Sequence, residues 1–188
     1  MLAGGLQAQT TVWTGGTGDW LVLGNWDNGV PTGASFATIN TGGAVTLAGS
    51  GSAGYLDVGG AGAVTLSTGT LTTSDARLGH GGSLVVLGGT WNNSGTLQFD
   101  SISGGILTIS GGGAAQVGMN EVTNLNTGTI NLNGSSGSRG VLSTGLIDVA
   151  DSFFGQDPGA GNINFDGGIL RATANASSFI NGNIHGKI

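Results

Sequence analysis

The chain contains no cysteine in its 188 residues. That excludes disulfides and thiolate metal sites. Charge is scarce as well: four Lys and Arg stand against ten Asp and Glu, and charged residues make up 7% of the sequence. The cations Arg77, Arg139, Arg171 and Lys187 are scattered along the chain. Nucleic-acid binding rests on several phosphate contacts made together, so neither a nucleic-acid partner nor an anionic membrane surface is expected. Proline occurs twice. No run approaches the ~18 apolar residues of a membrane-spanning helix, so membrane insertion by this segment is not expected.

What the chain has in abundance is glycine, at 41 residues, beside a 38% hydrophobic fraction. Glycine at that level with few apolar residues would indicate disorder. Here the two recur in phase. Val64-Thr65-Leu66-Ser67-Thr68-Gly69 is followed by Leu84-Val85-Val86-Leu87-Gly88-Gly89, then Leu107-Thr108-Ile109-Ser110-Gly111, then Ile130-Asn131-Leu132-Asn133-Gly134. The tetrad Leu66-Ser67-Thr68-Gly69 returns unchanged as Leu142-Ser143-Thr144-Gly145, and Ile163-Asn164-Phe165-Asp166-Gly167 closes the series. A period in the low twenties marks a repeat architecture.

Within each phrase apolar and polar residues alternate, as in a strand with one buried face. The Thr-Gly or Gly-Gly that follows turns the chain, and a second short strand comes next. Leu71, Trp91, Ala114, Ile147 and Leu170 are its apolar positions. A single such coil cannot bury its own inner face, but stacked coils can. The fold class read from this is all-β, a single-stranded right-handed parallel β-helix (a β-solenoid). The hand follows the usual right-handed crossover. At ~22 residues per coil, the chain makes roughly eight coils. Leu66, Val86, Ile109, Leu132 and Phe165 are expected to stack inside. The register has one flaw. Leu132 to Leu142 is ten residues, too few for a coil: either 134–140 is a corner within one coil, or the repeat slips there.

The ends differ from the middle. Residues 1–9, MLAGGLQAQ, resemble the last part of a signal peptide, with cleavage expected near Ala8 or Gln9; an ordinary first strand is the alternative. Residues 10–50 are assigned to an N-terminal cap and the first coils, and 51–188 to the β-helix repeats. Three of the four tryptophans, Trp13, Trp20 and Trp26, fall in the cap. Large aromatics suit the closing of a solenoid end, whose open edge otherwise invites aggregation. They also suit a carbohydrate site, so these three are the candidate ligand-binding residues. Asn124, Asn126, Asn131 and Asn133 suggest an asparagine ladder. Residues 150–161, with Phe153, Phe154 and Pro158, read as a loop leaving the stack.

Trp13-Thr14-Gly15, Gly18-Asp19-Trp20, Asn25-Trp26 and Gly29-Val30-Pro31 resemble the opening of passenger domains of autotransporter-type surface proteins. Phe165-Asp166-Gly167-Gly168-Ile169-Leu170-Arg171-Ala172 resembles the autotransporter-associated β-strand repeat. The resemblance covers about residues 12–180. It implies a secreted or cell-surface β-helix of a Gram-negative-type bacterium, continuing into a longer chain beyond residue 188. It implies no activity, because passengers include adhesins, enzymes and stalks.

Residue chemistry adds little. Glycoside cleavage needs two opposed carboxylates, and Asp148, Asp151, Asp157 and Asp166 are the candidates. Asp148 and Asp151 lead, but no aspartate recurs one repeat on. Glu121 stands alone. His80 and His185 lie near no distinctive serine motif. Gly59-Gly60-Ala61-Gly62-Ala63 lacks the aspartate of a calcium-binding repeat. Gly15-Gly16-Thr17-Gly18 is too loose for a phosphate loop. The pair Thr70 and Thr72 is not renewed at Thr90 and Asn92, as an ice-binding face would require. No catalytic residue, metal or cofactor is therefore assigned. The expected role is a structural or adhesive surface segment, with polysaccharide binding or cleavage as the alternative. The expected partners are the rest of a longer passenger chain, neighbouring copies stacked end to end, or surface glycans.

Overall fold

The computed structural model describes residues 8–100, 103–117, 122–124, 127–148, 161–175, 179–181 and 184–187. Residues 1–7, Asn126, Glu121 and residues 149–160, which include Asp151, Asp157, Phe153 and Phe154, lie outside them. About 60% of the described residues are strand. Its one helical turn among the described residues is the short 3-10 segment Leu23–Asn25.

The strands stack in parallel into a three-faced solenoid. Face 1 holds Thr17–Asp19, Ala44–Leu47, Ala63–Leu66, Ser83–Val86, Ile106–Ile109, Thr129–Ser135, Gly161–Asp166 and Ile184–Lys187. Face 2 holds 50–53, 70–73, Thr90–Asn93, Ala114–Val117, Val141–Thr144 and Ile169–Ala172. Face 3 holds Thr10–Val12, Phe36–Ile39, 55–58, 75–78, Leu97–Phe99, Val122–Asn124, Leu146–Asp148 and Ile180–Asn181. The long strands Ser50–Val58 and Thr70–Leu78 run from face 2 into face 3 without a break.

The alternation read from the sequence becomes columns of side chains inside the stack. Leu47, Leu66, Val86, Ile109, Leu132 and Phe165 form one column of face 1, and Val45, Val64, Leu84, Leu107, Ile130 and Ile163 the next. All are buried except Phe165, which is partly buried and packs on the core from the last coils. Each such Val, Leu or Ile contributes ~1.5–3 kcal/mol by leaving water. On face 2, Trp91 lies in register with Leu71 on one side and Ala115 on the other. A small neighbour makes room for the indole, since interiors are packed to crystal density.

The stack makes about six turns, fewer than the eight expected. The steps along the Leu47 column are 19, 20, 23, 23 and 33 residues. The late coils carry excursions, and the described residues 8–40 build strands on faces 1 and 3 without a strand on face 2. The ten-residue interval is a corner within one coil. Gly134 and Ser135 pair antiparallel with Arg139 and Ser138, a small hairpin that projects between faces 1 and 2. Leu142 is therefore a face 2 residue, aligned with Ala115 and Leu170 and not with Leu66. The second-strand positions shift with it. The inward column is Leu71, Trp91, Ala115, Leu142 and Leu170, whereas Ala114 points outward and Ile147 belongs to face 3.

The corner from face 3 to face 1 explains part of the glycine content. At 59–62 and 79–82 the chain turns through left-handed backbone at Gly60, Ala61, His80 and Gly81. At Gly60 (φ +53°) a Cβ would collide with the Asn40 carbonyl oxygen of the coil before. Neither the conformation nor the approach admits another residue without strain.

Candidate functional site

Two regions concentrate distinctive side chains. The first is the tryptophan cluster at the N-terminal end. Trp13 follows the first face 3 strand, with its N–H donated to the Thr38 carbonyl, and Trp20 follows the first face 1 strand, with its N–H donated to the Thr46 carbonyl. The Asp19 carboxylate accepts the Leu21 N–H at 2.7 Å and closes a turn that sends the chain back across the stack. Trp26 then bridges to Trp13. The three indoles meet edge to face, with centroids 5.1 Å apart for Trp13–Trp26 and 5.0 Å for Trp20–Trp26, a preferred arrangement for aromatic pairs. Trp26 Nε1 donates to the Trp20 carbonyl at 2.8 Å.

Trp13 and Trp20 are fully buried and Trp26 is 4% exposed. Their rings lie over the inward sides of Gly43 and Gly51, where an added Cβ would run into Trp13 and Trp20 respectively. The rings cover the end of the core. No indole face is open for a sugar ring to stack on, so a carbohydrate site does not form on these three residues in this arrangement.

The second region is the outer surface of face 3. Phe36 and Tyr55, in register on adjacent strands, stack with centroids 4.6 Å apart and planes 10° from parallel. Tyr55 is followed in its column by Asp75, and the next outward column runs Thr38, Asp57, Arg77, Gln98. Arg77 Nη2 donates to Asp100 Oδ2 at 3.1 Å, and its Nη1 lies 3.9 Å from Asp57 Oδ1. His80 Nε2 lies 3.0 Å from the same Asp100 oxygen. Asp75 accepts the Thr96 backbone N–H at 2.9 Å. Burial raises the Tyr55 pKa above its ordinary value of 10.0, and the neighbouring Asp57 carboxylate adds to the effect. Partial burial pulls the Arg77 pKa down, but the Asp100 hydrogen bond and the Asp57 and Asp100 charges outweigh it, so the net shift is upward. Arg77 is thus a fixed positive charge between two carboxylates.

Among the described residues, the sequence-derived candidates are not brought together. Asp148 lies on face 3 between Asn124 and Asn181. Arg77 is three strand positions away, ~14 Å at the usual strand spacing. Asp151 is outside the described residues. Asp166 is exposed at the end of a face 1 strand. His185, in the strand Ile184–Lys187, is exposed and far along the stack from His80. Among the described residues, no group of three or more His, Asp or Glu is placed to hold a metal ion. The asparagine ladder forms with other partners than expected. Asn131 Nδ2 donates to Thr108 Oγ1 at 3.2 Å, and Asn164 Nδ2 donates to Asn131 Oδ1 at 2.8 Å. The grouping of Asp57, Arg77, His80 and Asp100 escaped the sequence reading. Its available signals were offsets of one repeat: twenty residues from Asp57 to Arg77 and from His80 to Asp100, and twenty-three from Arg77 to Asp100. No family model, curated protein or solved structure matches the chain.

Proposed function

We propose that the chain is a structural or adhesive segment of a secreted or bacterial cell-surface β-solenoid, without catalytic activity of its own. The observation that carries this reading is how the ionisable side chains of face 3 are used. Asp57, Asp75, Arg77 and Asp100 each bond to a neighbouring coil, so they tie the stack together. A general acid for glycoside cleavage needs surroundings that keep a carboxyl protonated. Asp57 and Asp100 instead flank a guanidinium. The resemblance of the Trp-Gly opening and the Phe-x-Gly-Gly repeat to autotransporter-type passengers supports the surface location. The partners in this reading are the remainder of a longer passenger chain, neighbouring copies, or glycans.

The test is incubation of the purified protein with a panel of plant and bacterial polysaccharides, with release of reducing ends as the readout. No release is expected. Release that disappears in Asp148→Asn would overturn the reading. Polysaccharide binding without cleavage has one supporting observation of its own, the stacked Phe36 and Tyr55 beside Asp57 and Arg77. Rings next to polar groups are the usual furniture of a sugar subsite. A glycan array with Tyr55→Ala as control separates the two: binding lost in the variant favours the carbohydrate reading.

A further inference from the structure

The first complete coil has a strand-sized gap ahead of it. In the layer that precedes 44–58, face 1 is occupied by Thr17–Asp19 and face 3 by Phe36–Ile39. No described strand occupies face 2 there. The chain turns out at 19–22, crosses above Trp13 and comes back at 33–35. The strand 50–53 is therefore a sheet edge on its N-terminal side. Its parallel pairing with 70–73, fixed by Thr70 N–H to Gly49 O, commits the N–H groups of Gly51 and Ala53 to the next coil. The alternation of a parallel ladder then leaves the N–H and C=O of Ser50 and Ser52 facing the gap. Neither has a backbone or side-chain hydrogen-bond partner among the described residues. Ser50 is exposed and Ser52 half-buried.

The gap has walls. Leu21, 46% exposed and followed by Val22 at 50%, stands at the Gly49 corner, where a Cβ on Gly49 would come within 2.9 Å of Leu21 Cδ1. Gly33 stands at the other corner, its carbonyl 2.9 Å from where a Cβ of Gly54 would be. The inner wall is the Trp20 ring. Its Nε1–H is buried without a hydrogen-bond partner and sits 3.0 Å from the Cβ position of Gly51. Unpaired donors in such a place are rare and expensive.

We propose that this notch binds an extended peptide segment of a partner protein by strand addition, with Ser50 and Ser52 as the backbone contacts. The chemistry of the walls selects the occupant. The free groups of an edge strand pair with another backbone, and pockets for alternate side chains supply specificity. The notch spans four residues. A bound strand, parallel like its neighbours, places one residue over Gly51. That residue donates its N–H to the Ser50 carbonyl and accepts from the Ser52 N–H. Its side chain would meet the Trp20 ring, so it is glycine. Its two neighbours point outward over Ser50 and Ser52, beside Leu21 and Val22, and suit β-branched residues. The proposal concerns a backbone edge and holds wherever the protein resides.

The probe is acetyl-Val-Thr-Gly-Thr-Val-amide, added to the intact chain and followed by amide hydrogen exchange at Ser50 and Ser52. Both amides are expected to exchange rapidly in the free protein and at least tenfold more slowly with peptide present, with a change in tryptophan fluorescence. Ser52→Pro is expected to fold, since proline is tolerated where a strand's N–H faces outward, and to weaken peptide binding at least tenfold. Should that variant fail to fold, the same peptide N-methylated at its glycine serves instead, and loss of binding is again expected. Protection absent at both amides, or binding undiminished by N-methylation, would overturn the proposal. So would self-association of the wild-type protein that Ser52→Pro abolishes, because a second copy would then be the occupant.

Discussion

Trp91 is the largest side chain in the middle of the stack, and its indole N–H is held by a buried polar relay. It donates to Thr73 Oγ1 at 3.0 Å, Thr73 Oγ1 donates to Asn93 Oδ1 at 2.7 Å, and Asn93 Nδ2 donates to the Gly95 carbonyl at 2.8 Å. All three residues are buried. Thr73→Val keeps the shape and strands the Trp91 donor, at a cost of ~1–3 kcal/mol. Chemical denaturation should show that loss with an unchanged m-value. Gly43→Ala should be as harmful, because its Cβ would collide with the Trp13 indole and overpacking costs ~1–3 kcal/mol. Tyr55 offers a pH test, since it is the only tyrosine in the chain. Its folded pKa is raised, chiefly by burial, so its contribution to stability is complete below its ordinary value and fades as pH rises through the folded value. Tyrosinate absorbance should therefore rise with a midpoint above 10.0 in the folded protein and fall back towards that value on denaturation.

At the scale of elements, the inward columns of face 1 were legible because strand alternation is a local property. Val64 and Leu66, Leu107 and Ile109, and Ile130 and Leu132 all point inward as their spacing requires. Which face a strand joins is not local. Leu66-Ser67-Thr68-Gly69 and Leu142-Ser143-Thr144-Gly145 are identical in sequence, yet the first starts at the end of a face 1 strand and the second lies in face 2. The hairpin at 134–140 decides this by lengthening one corner without adding a coil. The tryptophans were recognised as a group, but their edge-to-face burial depends on the turn at Asp19, and the notch beside them depends on a strand that is missing. Neither leaves a periodic mark. Because the hairpin lies outside the stack, replacing 135–138 by a two-residue turn should change stability by less than ~1 kcal/mol, the scale on which loop length acts. A loss of several degrees in Tm would mean that the hairpin supports the coils beneath it.

For the whole molecule, the solenoid depends on an unbroken register that crosses the longest step between its face 1 strands. Between Asn131 and Asn164, 33 residues apart, face 1 continues as though nothing intervened. A repeat that slips at 134–140, the other register open to the sequence, places Val141 beside Asn164, twenty-three residues away. The two registers predict different neighbours, and the chain has no cysteine of its own to confuse a cross-linking experiment. Adjacent residues on parallel strands have Cα atoms ~4.8 Å apart, within the span a disulfide bridges. The deciding measurement is oxidation of two double variants, Asn131→Cys with Asn164→Cys and Val141→Cys with Asn164→Cys, each scored by non-reducing mobility and peptide mapping. The three-faced solenoid predicts rapid, complete cross-linking of the first pair and none of the second. Cross-linking of the second pair in preference to the first would contradict it.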